Sequence, residues 1–233
     1  MGDIHGRLDL LDALLERLQK TTDAPHTRLV VVGDMVDRGP DAAGVLALLH
    51  DRMSRPAPFA QTICLMGNHE RMMLDFLSDP VTHGPRWLSN GGAETLHSFD
   101  LSPERFGQGD ADARLRALGQ AMREALGPVR LDWLSQLPLF WQEGTLAVTH
   151  AAALPGRAMA DQPPEVLLWG HPAFLRGRRK DGLWVAHGHT IVAEAAAEQG
   201  RISVDTGAWR TGCLSAAVID EEGIRFESVV AHK

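Results

Sequence analysis

Leu8, Leu11, Leu14, Leu15 and Leu18 recur at steps of three and four, which predicts an amphipathic helix over 8–20. The β-branched run from Arg28 to Val32 ends at Gly33 and predicts a buried strand. Asp41, directly behind Pro40, opens a second helix through about Arg52. Thr62 to Met66 predicts another buried strand ending at Gly67, and Arg71 to Leu77 continues as helix. This β-α-β-α alternation specifies an α/β sheet with glycines at the carboxyl ends of its strands, where ligands collect. The stretch 79–142 breaks the pattern. It lacks strand signals, contains Gly107-Gln108-Gly109-Asp110, and has a helical section from Ala113 to Leu126. It reads as a helical insertion over the strand ends, within a single domain spanning 1–233. Beyond it, Thr145 to Thr149, Leu183 to Ala186, Arg201 to Val204, Cys213 to Ile219 and Ile224 to Val230 predict strands of a second sheet packed on the first.

Composition narrows the class of protein. At 233 residues the chain is long enough for one sizeable core, and 44% hydrophobic with 23% charged residues is ordinary for a globular protein. A net charge of −7 argues against a broad nucleic-acid-binding face. Cys64 and Cys213 form no Cys-x-x-Cys pair, so a reduced, cytoplasmic protein is expected. No signal peptide and no apolar run of about 18 residues is present, so neither export nor a membrane partner is expected. Nothing in the sequence speaks to oligomeric state.

Three short stretches carry chemistry: Gly2-Asp3-Ile4-His5-Gly6, Gly33-Asp34-Met35-Val36-Asp37-Arg38-Gly39 and Gly67-Asn68-His69-Glu70. Asp3 and Asp34 are 31 positions apart (34 − 3), and Asn68 follows Asp34 by 34 (68 − 34). That is about one strand-helix-strand unit each time, so successive strand ends could deliver the donors to one rim. Carboxylate, amide oxygen and imidazole suit Mn(II), Fe(II) or Zn(II) better than Ca(II). No strand leads into the first motif, so Asp3 and His5 are expected to hang from a poorly ordered terminus.

With Thr149-His150-Ala151, Gly188-His189-Thr190 and Asp205-Thr206-Gly207-Ala208, the set resembles the signature of the PPP-type, calcineurin-like metallophosphoesterases. Trp87-Leu88-Ser89-Asn90-Gly91-Gly92, with Thr95-Leu96, is similar to the bacterial branch of Ser/Thr protein phosphatases and diadenosine tetraphosphatases. The resemblance covers nearly the whole chain. It implies an α/β fold of two packed mixed sheets flanked by helices, in four α/β/β/α layers. It implies two divalent metal ions, Mn(II) first with Fe or Zn as alternatives. Asp3, His5 and His189 would hold one ion, Asn68 and His150 the other, and Asp34 would bridge them. Ions roughly 3.5–4 Å apart can clamp the oxygens of an in-line phosphoryl transfer and activate a shared water.

On the same resemblance Arg38 holds phosphate oxygens and His69, oriented by Asp37, protonates the leaving group. The implied reaction is phosphomonoester hydrolysis, with phosphoserine or phosphothreonine in proteins as substrate. The alternatives are a smaller phosphorylated substrate, through symmetrical cleavage of diadenosine tetraphosphate to ADP, and an inactive phosphate-binding protein. The intact ligand set with Asp37, Arg38 and His69 argues against the inactive form. Two departures stand out. Met66 precedes Gly67 where many relatives have arginine, and Leu167-Leu168-Trp169-Gly170-His171 replaces Leu-Leu-Trp-x-Arg. The second phosphate-holding group is therefore His171, Arg71 or Arg210, or is missing.

His189 rather than His187 is the expected ligand, because the glycine-flanked Gly188-His189-Thr190 matches the motif of the family it resembles, with strand alternation expected to turn His187 away. His187 then serves as a hydrogen-bonding support. His26, His50, His83, His97 and His232 read as ordinary polar residues, and Trp133, Trp141 and Trp184 as core. Trp87 is either core of the insertion or a wall of the cleft. Arg176-Gly177-Arg178-Arg179-Lys180 reads as a solvated loop, and Cys64 as a buried strand residue.

Overall fold

The computed structural model describes residues 1–55, 57–102 and 110–231. Gly107 to Gly109 and His232 lie outside them. Helix α1 (Leu8–Thr21) turns Leu10, Leu11, Leu14, Leu15 and Leu18 into the core. Strand β1 (Arg28–Val31) is followed by α2 (Ala42–Ser54), whose first turn is capped by the Asp41 carboxylate accepting from the Gly44 N–H at 2.7 Å. Strand β2 (Gln61–Cys64) lies parallel to β1 and leads into α3 (Asn68–Ser78). That helix begins three residues before the expected Arg71, so Asn68, His69 and Glu70 form its first turn.

The insertion contains α4 (Pro80–Trp87), a wide turn over Leu88–Gly92, α5 (Ala93–Ser98) and α6 (Ala111–Ser135), which kinks at Gly127. Its predicted end at 142 overlaps a strand, β3 (Phe140–Glu143). There follow β4 (Leu146–Thr149), α7 (Pro164–Trp169), α8 (Pro172–Arg176), β5 (Trp184–His187), β6 (Ala196–Glu198), β7 (Arg201–Ser203) and α9 (Ala208–Thr211). The chain closes with β8 (Cys213–Asp220) and β9 (Gly223–Val230).

Strands β3, β4, β5, β7 and β6 form one mixed sheet in that order. The antiparallel β8–β9 hairpin was expected in that sheet, but it stands opposite β1 in the other layer. Residues at the amino end make the join. The Met1 nitrogen donates to the Val30 carbonyl at 2.9 Å, the Val32 N–H to the Met1 carbonyl at 3.1 Å, and the Gly2 N–H to the Ser215 carbonyl at 2.9 Å. Asp3 and His5 are consequently buried, each 2% exposed, rather than hanging from a loose terminus. Between the two sheets sit Val32, Leu65, Val148, Ala186, Ile202 and Val204. Leu11, Leu14, Leu46 and Phe76 fill the space between the first sheet and its helices, and Leu167 and Phe174 cover the far face of the second. Four layers result, as the motif resemblance implies. Trp141 and Trp184, expected as core, pack half-buried at the border of the inter-sheet core. Trp133 is half-buried beside the helical core. No described helix is long and apolar enough to cross a membrane.

His187 is buried in β5, its ring edge-on to Phe174 at 4.9 Å and its Nε2 3.0 Å from the Ser203 hydroxyl. Burial pushes its pKa down to about 4. Between that value and the unfolded pKa of about 6.5, the unfolded chain binds the extra proton, so this residue makes stability fall as pH falls. His187→Gln should therefore flatten the stability loss between pH 6.5 and 4 by up to about 3 kcal/mol, read from denaturant melts of metal-free protein at each pH.

Candidate metal centre

Asp34, His150 and His189 each follow the carboxyl end of a strand, β1, β4 and β5, while Asn68 and His69 open α3 behind β2. His5, Asp34, Asp37, Arg38 and His189 all have positive φ, between 47° and 70°. They are five of seven such non-glycine residues among those described. Backbone held in this sparsely populated region is the kind of strain that clusters at ligand sites. The neighbouring glycines are required for space: a β-carbon on Gly67 would overlap the Asp34 carboxylate, and one on Gly188 that of Asp3.

Hydrogen bonds to the main chain decide which ring nitrogens face inward. His5 Nδ1 lies 2.8 Å from the Val36 carbonyl and His150 Nδ1 lies 3.1 Å from that of Val32. A carbonyl only accepts, so both Nδ1 atoms carry the proton and both Nε2 atoms present bare lone pairs. His5 Nε2 is 3.4 Å from Asp34 Oδ2, and His150 Nε2 is 3.4 Å from Asp34 Oδ1 and 2.9 Å from Asn68 Oδ1. Burial lowers the pKa of His5 to about 3 and that of His150 to about 4, keeping both neutral. Burial opposes the Asp34 charge, yet the positive charge favoured on His69 and the His69 main-chain N–H hold that carboxyl below the usual range. Lone pairs aimed at an ionised carboxylate repel unless a cation sits among them. The donor set therefore fits metal.

Two groups of donor atoms lie within 4.8 Å of one another: His5, Asp34 and His69, and Asp34, His150 and His189. The Asp3 carboxylate accepts the His189 N–H at 3.0 Å and is hydrogen-bonded to Asp205. Burial and the neighbouring Asp205 and Asp34 raise the Asp3 pKa, while burial raises that of Asp205 to about 6. Two carboxyl groups forced together in this way share a proton, and a divalent cation can take that proton's place.

His69 Nδ1 lies 2.7 Å from Asp37 Oδ2, and its Nε2 points inward, 3.9 Å from Asp34 Oδ2. Asp37 is fully buried. Its carboxylate also accepts the Trp87 indole N–H at 3.0 Å and the Thr95 hydroxyl at 2.7 Å. Trp87 is thus core and stacks on Phe76, but its polar edge fixes Asp37. Burial works against a charged His69, yet Asp34 and the bond to Asp37 outweigh it and raise its pKa. Arg38 reaches the centre with Nη1 3.1 Å from His5 Nε2, and its guanidinium lies 5.0 Å from the Trp209 ring centroid.

Of the groups considered for a second phosphate contact, His171 is exposed and lines a cavity shared with His189. Its Nδ1 accepts the Ala173 N–H and caps α8. Arg210 is exposed on α9, and Arg71 lies half-buried on α3. Three residues with clear work were given no role from sequence. Asp205 touches Asp3. Trp209 backs Arg38. Glu70, buried in the first turn of α3, accepts the N–H groups of Asp34, Met35, Val36 and Gly67 at 2.7–3.2 Å. Glu70 and Asp205 stood inside quoted motifs, which was a usable signal, whereas a lone Trp-Arg pair offers none.

Because Glu70 ties the loop after β1 to the start of α3, Glu70→Ala should strand several buried amides. A stability loss of roughly 3 kcal/mol or more is expected by denaturant melt. Manganese content, measured by elemental analysis, should fall with it.

The model of the family described as calcineurin-like phosphoesterase matches residues 1–193. Serine/threonine-protein phosphatase 1 of Salmonella typhimurium is 29% identical over 228 residues, covering 94% of this chain and 90% of that protein. The symmetrical bis(5'-nucleosyl)-tetraphosphatase of Dechloromonas aromatica is 31% identical over 155 residues, 66% of this chain but 43% of that protein. A protein serine/threonine phosphatase structure from Saccharomyces cerevisiae shares the fold with a TM-score of 0.61 at 16% identity, covering 100% of this chain and 79% of that one. The family is dependent on a metal pair, and the converging donors described above agree with it. The chain belongs to the calcineurin-like phosphoesterase family and is a hydrolase of phosphoric esters.

Proposed function

We propose that the protein dephosphorylates phosphoserine or phosphothreonine in proteins. The observation that supports this reading is the buried His69–Asp37 pair. A serine alkoxide is a poor leaving group and needs a proton, whereas ADP leaves as a stabilised phosphate anion without one. His69, whose pKa is raised by Asp34 and Asp37 against the effect of burial, turns Nε2 inward, with Asp37, Trp87 and Thr95 holding the ring in place. Similarity to the Salmonella phosphatase over nearly the full length of both chains points the same way.

In this reading Asp3, His5 and His189 hold one divalent ion and Asn68 and His150 the other, with Asp34 between them. Manganese suits these donors best, with iron or zinc as alternatives. Bound there, the ions would act as Lewis acids toward the phosphoryl group. Arg38 would turn from His5 to grip two phosphate oxygens with its planar fork. Behind these groups Asp205 holds Asp3 of the first motif, and Glu70 joins the second motif to the third.

Symmetrical cleavage of dinucleoside tetraphosphates is the second reading, and one feature favours it. Trp169, 36% exposed, lies under Arg86 at 4.5 Å on a cavity of about 380 Å³ that His189 also lines. Such a face could stack a nucleobase.

With manganese supplied, a phosphopeptide should be turned over faster than diadenosine tetraphosphate at equal concentration. The reverse order would replace the first reading by the second. His69→Ala should cost about 10²–10⁴ in kcat on the phosphopeptide. On nitrophenyl phosphate, whose leaving group needs no proton, the loss should stay under about tenfold. Equal losses would remove the acid role. Arg38→Lys keeps the charge but not the fork, and should lower kcat/KM by about 10- to 100-fold with metal content unchanged.

A further inference from the structure

We propose that the cavity beside His189, lined also by Trp169, His171, Leu175 and Arg176, is a subsite for acidic side chains of the substrate polypeptide on one flank of the phosphorylated residue. The proposal rests on the phosphoprotein reading above and names the class of sequence that such a substrate carries.

The cations come from the run that reads in the sequence as a solvated loop, Arg176-Gly177-Arg178-Arg179-Lys180. One of its arginines is turned inward instead. Arg179 is 6% exposed, and its guanidinium donates to the carbonyls of Leu154 at 3.1 Å and Arg157 at 2.8 Å and to the Asp181 carboxylate. Arg201, also buried, donates to the carbonyls of Phe174 at 3.2 Å and Gly177 at 3.3 Å. Two buried guanidiniums thus pin the chain from 174 to 181 against the loop at 154–157 and against β7. Arg176, Arg178 and Lys180 are left exposed around them. None of these three forms an ion pair among the described residues, although the whole chain carries a net charge of −7. A fixed, unpaired patch of one sign raises the local concentration of the opposite sign.

Arg176 stands on the wall of the cavity that His189 shares, about 380 Å³ in volume, and so joins this patch to the candidate metal centre. His171 adds a donor there. Its Nδ1 accepts the Ala173 N–H at 3.1 Å, which leaves Nε2 to carry the ring proton. Leu175 and Trp169, 50% and 36% exposed, supply apolar surface for the stem of a glutamate. Arg86, its guanidinium 4.5 Å from the Trp169 ring centroid, brings a further positive charge to the rim.

The other flank is built differently. A second cavity, of about 680 Å³, adjoins the centre through Arg38 and Trp209 and is lined by Asp9, Asp12 and Asp41. Arg7 on the same wall is committed to Asp9 and to the Ala208 carbonyl. Acidic residues entering on that side meet like charge, the repulsive half of a specificity device. The preference for acid therefore has a direction along the substrate chain.

The test gives the manganese-supplied protein phosphoserine peptides with alanines on both flanks, or with a pair of glutamates or of lysines on one flank only. On one flank, glutamates should raise kcat/KM over the alanine peptide by about fivefold or more, mostly through KM. On the other flank they should not. Lysines on the responsive flank should lower it. Salt at about 1 M should erase the preference, because the Debye length is then about 3 Å. With Arg176→Glu and Arg178→Glu combined, the glutamate-to-lysine ratio on that flank should fall about tenfold or more. Arg176→Gln alone should give a ratio between the two. Each ratio is taken within one preparation, so it does not depend on how much of a variant folds. Equal turnover of all peptides, an equal gain on both flanks, or an unchanged ratio in the combined variant would overturn the proposal and leave the phosphoprotein reading standing. Turnover of diadenosine tetraphosphate with no turnover of any peptide would remove that reading and this inference together.

Discussion

The Asp34 carboxylate is the constraint around which the structure is arranged. It is a buried charge at the end of β1, and a charge taken out of water must be met from all sides. The first turn of α3 meets it with the His69 N–H at 3.1 Å, adding the positive end of that helix. His5 and His150 meet it with ring nitrogens already committed to be lone pairs, because main-chain carbonyls hold the other proton. Those choices leave acceptors facing acceptors, an arrangement that a bound cation would satisfy.

The same logic explains the supporting groups. Glu70 takes four amides that would otherwise be orphaned where the loop after β1 meets α3. Asp37, also buried, is fully used by His69, Trp87 and Thr95. The insertion is therefore more than a cover. Its Trp87 and Thr95 hold the Asp37 carboxylate that bonds His69, and its Gly91 carbonyl accepts the Arg38 N–H at 3.1 Å. The placement of His69 and Arg38 thus depends on a segment outside the two candidate metal-binding groups.

The two sheets divide the work. The first brings Asp3, His5, Asp34, Asn68 and His69 to one rim, and the second brings His150, His189 and Asp205. Their shared core of Val32, Leu65, Val148 and Ile202 sets the distance between those two groups of donors. The backbone bonds of Met1 and Gly2 to Val30, Val32 and Ser215 carry the first two donors into place between β1 and β8.

Local sequence was enough for the helices, most strand positions and the motif residues, because leucine spacing, β-branched runs and glycine-flanked donors act over a few neighbours. His187 and His189 are two positions apart, which on a continuing strand would put them on one face; the end of β5 at His187 and the left-handed backbone of His189 (φ 61°) separate them. Pairing between distant segments could not be read in this way. Sequence put β8 and β9 in the second sheet and left Asp3 and His5 loose, since nothing local says that Gly2 will bond Ser215. Tertiary packing likewise decided that His69 shares a cluster with His5, that Trp87 holds Asp37 and that Trp209 backs Arg38. Those contacts join residues tens to hundreds of positions apart, and only the closed fold sets their distances.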